Sequence, residues 1–260
     1  MAIDSEKPPV SIQPIIGEPW VKLGTGETLA SWGRNEEIAY NQTNRQAEKV
    51  RFFRTTLDFL TDNRVNGDYL EFGCHRCRTF RMVLSEARRH NLSDMQFHAF
   101  DSFEGLPAPE HESAVEFWQR GALSTSQEDF LRMVQEHGIY VQNVHTIKGF
   151  YSESLTPALR GQYTSSGRKI SLVNVDCDFY ESALPVFDFI EPLLQEGSIL
   201  YLDDLFAGYK GNPTRGVARA FLEYQKRSNW AFVRHLDVGW WGRSYISVPK
   251  SDGYEGVIAI

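Results

Sequence analysis

A doubly wound α/β fold, with a mostly parallel sheet covered by helices on both faces, is the fold class this sequence predicts. Three observations predict it. Short apolar runs alternate with longer amphipathic ones from Gly67 onward, strand-like and helix-like stretches follow one another in strict succession, and charged or glycine-bearing turns close each apolar run. The strand-like runs are Asp68 to Phe72, Gln96 to Phe100, Asn143 to Ile147, Ile170 to Val175 and Ser198 to Leu202. Helical periodicity marks Thr79 to His90, Gln127 to His137, Ser182 to Leu194 and Thr214 to Arg227. Two further strands, Trp230 to Leu236 and Arg243 to Val248, flank a turn with Gly239 and Gly242 and suggest a terminal hairpin, for seven strands in all.

The first 66 residues read differently. A lead punctuated by proline and glycine precedes Asn35 to Leu60, where apolar residues recur at helical spacing, so residues 1–66 are expected to form a helical N-terminal cap on a domain spanning 67–260. Between Gly105 and Leu123 lies the one long irregular insertion, rich in proline, glutamate and aromatics, which suits a lid.

Composition narrows the partners. With 260 residues and 42% hydrophobic content the chain can bury a sizeable core. A net charge of -7, with lysine and arginine scattered, argues against nucleic acid and for a small-molecule partner. Three cysteines without the spacing of a disulfide scaffold fit a reducing compartment, and the acidic start without a long apolar run speaks against export or membrane insertion. A cytoplasmic location is the expectation.

In an open parallel sheet, ligands sit beyond the carboxyl ends of the strands, so the residues that end strands matter most. The first strand ends Glu71-Phe72-Gly73-Cys74. Gly73 can turn the backbone closely, but a single glycine in Gly73-Cys74-His75-Arg76-Cys77-Arg78 makes a poor dinucleotide fingerprint. The second ends Phe100-Asp101-Ser102, where a carboxylate can accept hydrogen bonds from both hydroxyls of a ribose; its plainer reading is a turn cap. The fourth and fifth run into Asp176-Cys177-Asp178 and Asp203-Asp204. If those strands are neighbours, Asp176, Asp203 and Asp204 converge, and a hard cation such as Mg2+ would offset their repulsion and hold a substrate hydroxyl as a Lewis acid. Helix capping by Asp178 and Asp204 is the alternative.

Taken together, Glu71-Phe72-Gly73, Phe100 to Pro107, Gly149-Phe150-Tyr151, Val175 to Ser182 and Leu202-Asp203-Asp204 resemble, in that order, the macrocin O-methyltransferase family, over roughly Gly67 to Tyr224. The resemblance implies a Rossmann-like class I methyltransferase fold whose last strand is antiparallel, S-adenosylmethionine as donor, and Mg2+ on Asp176, Asp203 and Asp204. It implies a donor site lined by Glu71, Gly73 and Asp101, with Cys74, Ser102, Gly149, Phe150 and Asp176 as further candidates; Asp176 is also the candidate catalytic residue. The implied acceptor is a hydroxyl of a sugar or glycosylated natural product, and homo-oligomers are usual in the family. Two departures stand out: Cys77 occupies a usual second glycine, and Leu205 a usual aromatic.

His75 is the histidine nearest the glycine turn and a possible base. Trp240-Trp241 is read as core, and Arg215 and Arg219 as solvent-facing. Rival readings are a metal-dependent phosphate-ester hydrolase, a methyltransferase of non-sugar small molecules, a nicotinamide-dependent oxidoreductase and a non-catalytic binding module.

Overall fold

The structure, a computed structural model, describes residues 33–109, 115–116 and 118–254. Its sheet has seven strands: β1 (Asp68–Phe72), β2 (Phe97–Asp101), β3 (Val144–Lys148), β4 (Ile170–Val175), β5 (Ile199–Leu202), β6 (Trp230–Val238) and β7 (Gly242–Pro249), in the order β3-β2-β1-β4-β5-β7-β6. The first five are parallel; β7 runs antiparallel to β5 and forms a hairpin with β6. The order reverses between β1 and β4, and a crevice opens beyond their carboxyl ends.

Side-chain alternation divides the core between the two faces. Tyr69, Phe97, Ala99, Leu172 and Tyr201 face one way, under α1 (Arg34–Asp62), α2 (Arg78–Arg89) and α3 (Gln127–His137). Leu70, Phe72, Phe100, Val173 and Leu200 face the other, against α6 (Tyr180–Ile190) and α7 (Gly216–Arg227). Covered on both sides, β1, β4 and β5 are buried along their whole length, which is why they read as continuous apolar runs.

Helix α1 is longer than its periodicity suggests and is packed into the same core as the sheet. Val50, Phe53, Leu57 and Leu60 make its buried stripe, at the spacing of one helical face. Lys49 lies on that stripe. Two short helices without a sequence expectation, α4 (Tyr151–Ser154) and α5 (Pro157–Ser165), fill the β3–β4 crossover; neither buries a side chain fully, and the few apolar residues they pack on the core, Tyr151, Leu159 and Tyr163, are too sparse to mark a helical period. The expected helix to Leu194 stops at Ile190, where Glu191-Pro192-Leu193 tightens into a 3-10 turn. The three cysteines are buried free thiols. Among the described residues no helix is long and apolar enough to cross a membrane.

Candidate active site

The crevice is a cavity of about 1050 Å³ whose wall includes Gly73, Asp101, Ser102, Gly149, Phe150, Asp176, Asp203 and Asp204. Gly73 turns the chain out of β1 at φ +94°, a conformation glycine adopts readily and other residues rarely. A Cβ there would lie 1.7 Å from the carbonyl oxygen of Asp176, so the glycine is required where the ends of β1 and β4 meet. The two residues that follow Arg76's predecessor in the turn, Arg76 itself and Cys77, are also left-handed, at φ 56° and 54°. Cys77 therefore holds, with its side chain buried, a backbone conformation for which glycine is the unstrained choice.

Asp101 ties this turn to the next. Its Oδ2 accepts the Cys74 N–H at 2.7 Å and its Oδ1 the Phe103 N–H at 2.7 Å, so it is a turn-former as well as a wall residue. A carboxylate has lone pairs for about four hydrogen bonds, which leaves capacity facing the cavity. Burial raises its pKa above the ordinary value, and the two backbone N–H groups work against that rise.

Glu71 and Cys74 are not on the wall; this corrects the expectation that they line it. Glu71 is fully buried one layer behind, accepting hydrogen bonds from Thr79 Oγ1 at 2.6 Å and from the Tyr69 hydroxyl. Burial pushes its pKa up to about 8. The alternation that points Leu70 and Phe72 towards α6 turns Glu71 towards α2.

Beyond the ends of β4 and β5 the acids converge as adjacent strands require. β4 pairs with β5 through Val175 and Leu202, and one carboxylate oxygen from each of Asp176, Asp203 and Asp204 can be chosen so that all lie within 4.8 Å of one another. Neither Asp178 nor Asp204 caps a helix: α6 starts after Phe179 and α7 after Arg215, without a side-chain cap on either. Asp178 instead joins the cavity wall in a left-handed turn.

A lysine that the sequence reading passed over stands among these acids. Lys49 Nζ donates to Asp203 Oδ2 at 2.8 Å and approaches Asp176 Oδ2 at 3.5 Å. Burial alone would lower the ammonium's pKa, but the attraction of Asp203 and Asp176 outweighs it and holds the pKa above the usual lysine value. Burial likewise raises all the carboxyls, yet Lys49 and the Tyr201 hydroxyl bring Asp203 below its ordinary value. Asp176 and Asp204, in which burial and acidic neighbours outweigh the pull of Lys49, stay raised. The one signal available in sequence was a lysine inside an apolar stripe.

Asp203 is further held by the Tyr201 hydroxyl and by Trp241 Nε1, which donates to Oδ1 at 3.2 Å. Trp241 is thus buried, as expected, but Trp240 is not: 62% exposed, it borders the cavity under the Arg45 guanidinium, 5.6 Å from its ring centre. From the insertion, Trp118 packs against Phe179 and Tyr209 over Gly208 and closes one side; residues 110–114 and 117 of the expected lid lie outside the described residues. His75 lies on the wall beside Thr125, its pKa lowered to about 4 by burial and by Arg76 and Arg78. Leu205 belongs to the core below the acids. Arg219 pairs with Glu223 at 2.9 Å on the outer face of α7.

The donor set suits a hard divalent ion. It is all oxygen, and Asp204 Oδ2 is buried without a hydrogen-bond partner among the described residues, a costly arrangement that a cation would relieve.

A parallel sheet with an antiparallel β7 beside β5, a glycine turn after β1 and an acid after β2 together define the class I methyltransferase fold. The family model for macrocin O-methyltransferase (TylF) matches residues 35–234, and the chain belongs to that family. It is 25% identical over 146 residues to the 8-demethyl-8-(2,3-dimethoxy-alpha-L-rhamnosyl)-tetracenomycin-C 4'-O-methyltransferase of Streptomyces olivaceus, spanning 54% of this chain and 53% of that protein. It is 21% identical over 164 residues to the demethyldecarbamoylnovobiocin O-methyltransferase of Streptomyces niveus, spanning 60% of each. The chain thus matches little more than half the length of these relatives. In fold it resembles the O-methyltransferase NovP (TM-score 0.61, 19% identity, covering 76% of this chain and 79% of NovP). The calicheamicin methyltransferase CalS11 is similar to the same degree (TM-score 0.61, 18% identity, covering 85% of this chain and 87% of CalS11).

Proposed function

We propose that this chain transfers the methyl group of S-adenosylmethionine to a hydroxyl of a sugar or glycosylated natural product, with Mg2+ at the acid trio. The observation that carries the reading is one cavity lined both by Gly73, Asp101, Ser102, Gly149 and Phe150 and by the acid trio Asp176, Asp203 and Asp204. The family supports methyl transfer, and the named activities of the two curated relatives support a glycosylated acceptor.

In this reading Asp101 accepts hydrogen bonds from the donor's ribose hydroxyls with the lone pairs its backbone contacts leave free. Gly149 and Phe150 follow β3 and line the same cavity. Asp176, Asp203 and Asp204 would hold the cation, with Tyr201 and Trp241 fixing the orientation of Asp203. The cation supplies Lewis acidity that lowers the pKa of the acceptor hydroxyl. The hydroxyl oxygen then forms a bond to the methyl carbon as the carbon–sulfur bond breaks, the electron pair stays on sulfur, and the hydroxyl proton leaves to solvent. We assign the protein to the cytoplasm, in keeping with its three free thiols.

The test is transfer of labelled methyl from S-adenosylmethionine to a panel of deoxysugar glycosides, with and without EDTA. The reading expects a methylated glycoside, loss of turnover in EDTA and recovery with Mg2+, while donor binding persists in EDTA. Methylation that EDTA leaves untouched would remove the cation; methylation confined to non-glycosylated phenols would remove the sugar.

A further inference from the structure

We infer that Lys49 is a built-in competitor for the cation site: its ammonium and a divalent cation take turns on Asp203 Oδ2, and cation uptake releases α1 from the acids. The inference rests on the cation reading above and adds a residue to it.

The geometry leaves little choice. Asp203 Oδ1 is committed to the Tyr201 hydroxyl and Trp241 Nε1, so Oδ2 is the oxygen Asp203 can offer inward. Lys49 Nζ already takes that oxygen at 2.8 Å and leans on Asp176 Oδ2 at 3.5 Å. A magnesium ion would need the same oxygens at about 2.0–2.1 Å. Two cations on one oxygen would sit on the order of 4 Å apart, where their repulsion in a buried site is strong. One must leave, and the ammonium is the one on a flexible stem.

Two consequences follow from where Lys49 sits. Without a cation the trio is never bare, because the ammonium supplies one positive charge to buried carboxylates that would otherwise stand uncompensated. With a cation, the tie between α1 and the ends of β4 and β5 is cut. Gln42, Arg45 and Gln46 line the cavity on the same helix, so this tie links cation uptake to the stretch of cavity wall that α1 supplies.

Calorimetric titration with Mn2+ of the wild type, Lys49→Gln and Lys49→Arg tests the proposal without any need for an acceptor. Competition predicts that Lys49→Gln binds Mn2+ about tenfold more tightly or better, and that Lys49→Arg, which keeps the charge, stays near the wild type. A second reading needs no variant: on the wild type, saturating Mn2+ should raise acylation of the Lys49 amine by acetic anhydride several-fold, read by peptide mass spectrometry. Equal or weaker binding in Lys49→Gln, or unchanged labelling in the wild type, overturns the proposal. Should Lys49→Gln not fold, the labelling result decides alone. If neither wild type nor Lys49→Gln binds Mn2+ while both bind S-adenosylmethionine, the cation reading itself falls, a result distinct from tight binding that ignores Lys49.

Discussion

Gly73 and the carbonyl of Asp176 meet so closely that the donor turn and the acid trio are one mechanical unit: a Cβ at position 73 would stand 1.7 Å from that oxygen. The N–H of Asp176 in turn donates to the carbonyl of Phe72 at 2.9 Å, which pins the two strand ends from the other side. Gly73→Ala must therefore move backbone on β1 or β4 and also hold alanine at positive φ. We expect a loss of about 3 kcal/mol or more in urea unfolding, from strain and overpacking together. A change below about 1 kcal/mol would show that the contact is relieved at little cost.

Much of this was legible in the sequence, for reasons that can be named. β1, β4 and β5 are buried on both faces, so they are written as apolar runs, and the acids that end them fall at the crevice because the sheet is parallel. What was hidden depended on side-chain direction or on distant segments. Glu71 looked like a cavity residue because it adjoins Gly73, whereas the pleat turns it to Thr79. Lys49 lies 154 residues from Asp203, and nothing local announces that pairing. Trp240 and Trp241 read as a unit, but in the turn between β6 and β7 one reaches Asp203 and the other the rim. α5 packs Leu159 and Tyr163 on the core without burying either fully, and one such pair is too little to write a period into the sequence.

Acids with raised pKa values set the pH dependence of stability. Glu71, pushed up to about 8, and Asp176, raised by burial and by Asp203, keep protons in the native state that the unfolded chain releases near pH 4. Their contribution is complete below that pH and is lost as pH rises through the folded values. His75, depressed to about 4, gives a slope of opposite sign that fades only about one unit above its unfolded value of 6.5, so it does not interfere above about pH 7.5. In EDTA the melting temperature should fall between about pH 7.5 and 8.5, and Glu71→Gln, uncharged throughout, should flatten the fall. A melting temperature that is constant or rises over that interval in the wild type would contradict the assignment.

On the proposed cation reading, Trp241 acts on the acid trio through Asp203. Its Nε1 holds Oδ1 at 3.2 Å and so aims Oδ2 inward. Trp241→Phe keeps an aromatic ring in the core but removes the donor. Partners of this kind typically contribute about tenfold or more to metal affinity, so Mn2+ binding by Trp241→Phe should weaken by about that factor with an unchanged circular dichroism spectrum. Unaltered affinity would show that the Tyr201 hydroxyl suffices.

In the proposed function Asp101 anchors the methyl donor, and its removal gives the most direct test. In calorimetric titration the wild type should bind S-adenosylmethionine in the micromolar range usual for enzyme ligands, while Asp101→Ala, folded by circular dichroism, should lose about a hundredfold in affinity or more, consistent with losing charge-assisted hydrogen bonds at about 1.5–3 kcal/mol each. Absence of binding to the wild type, or equal binding by Asp101→Ala, would contradict the account.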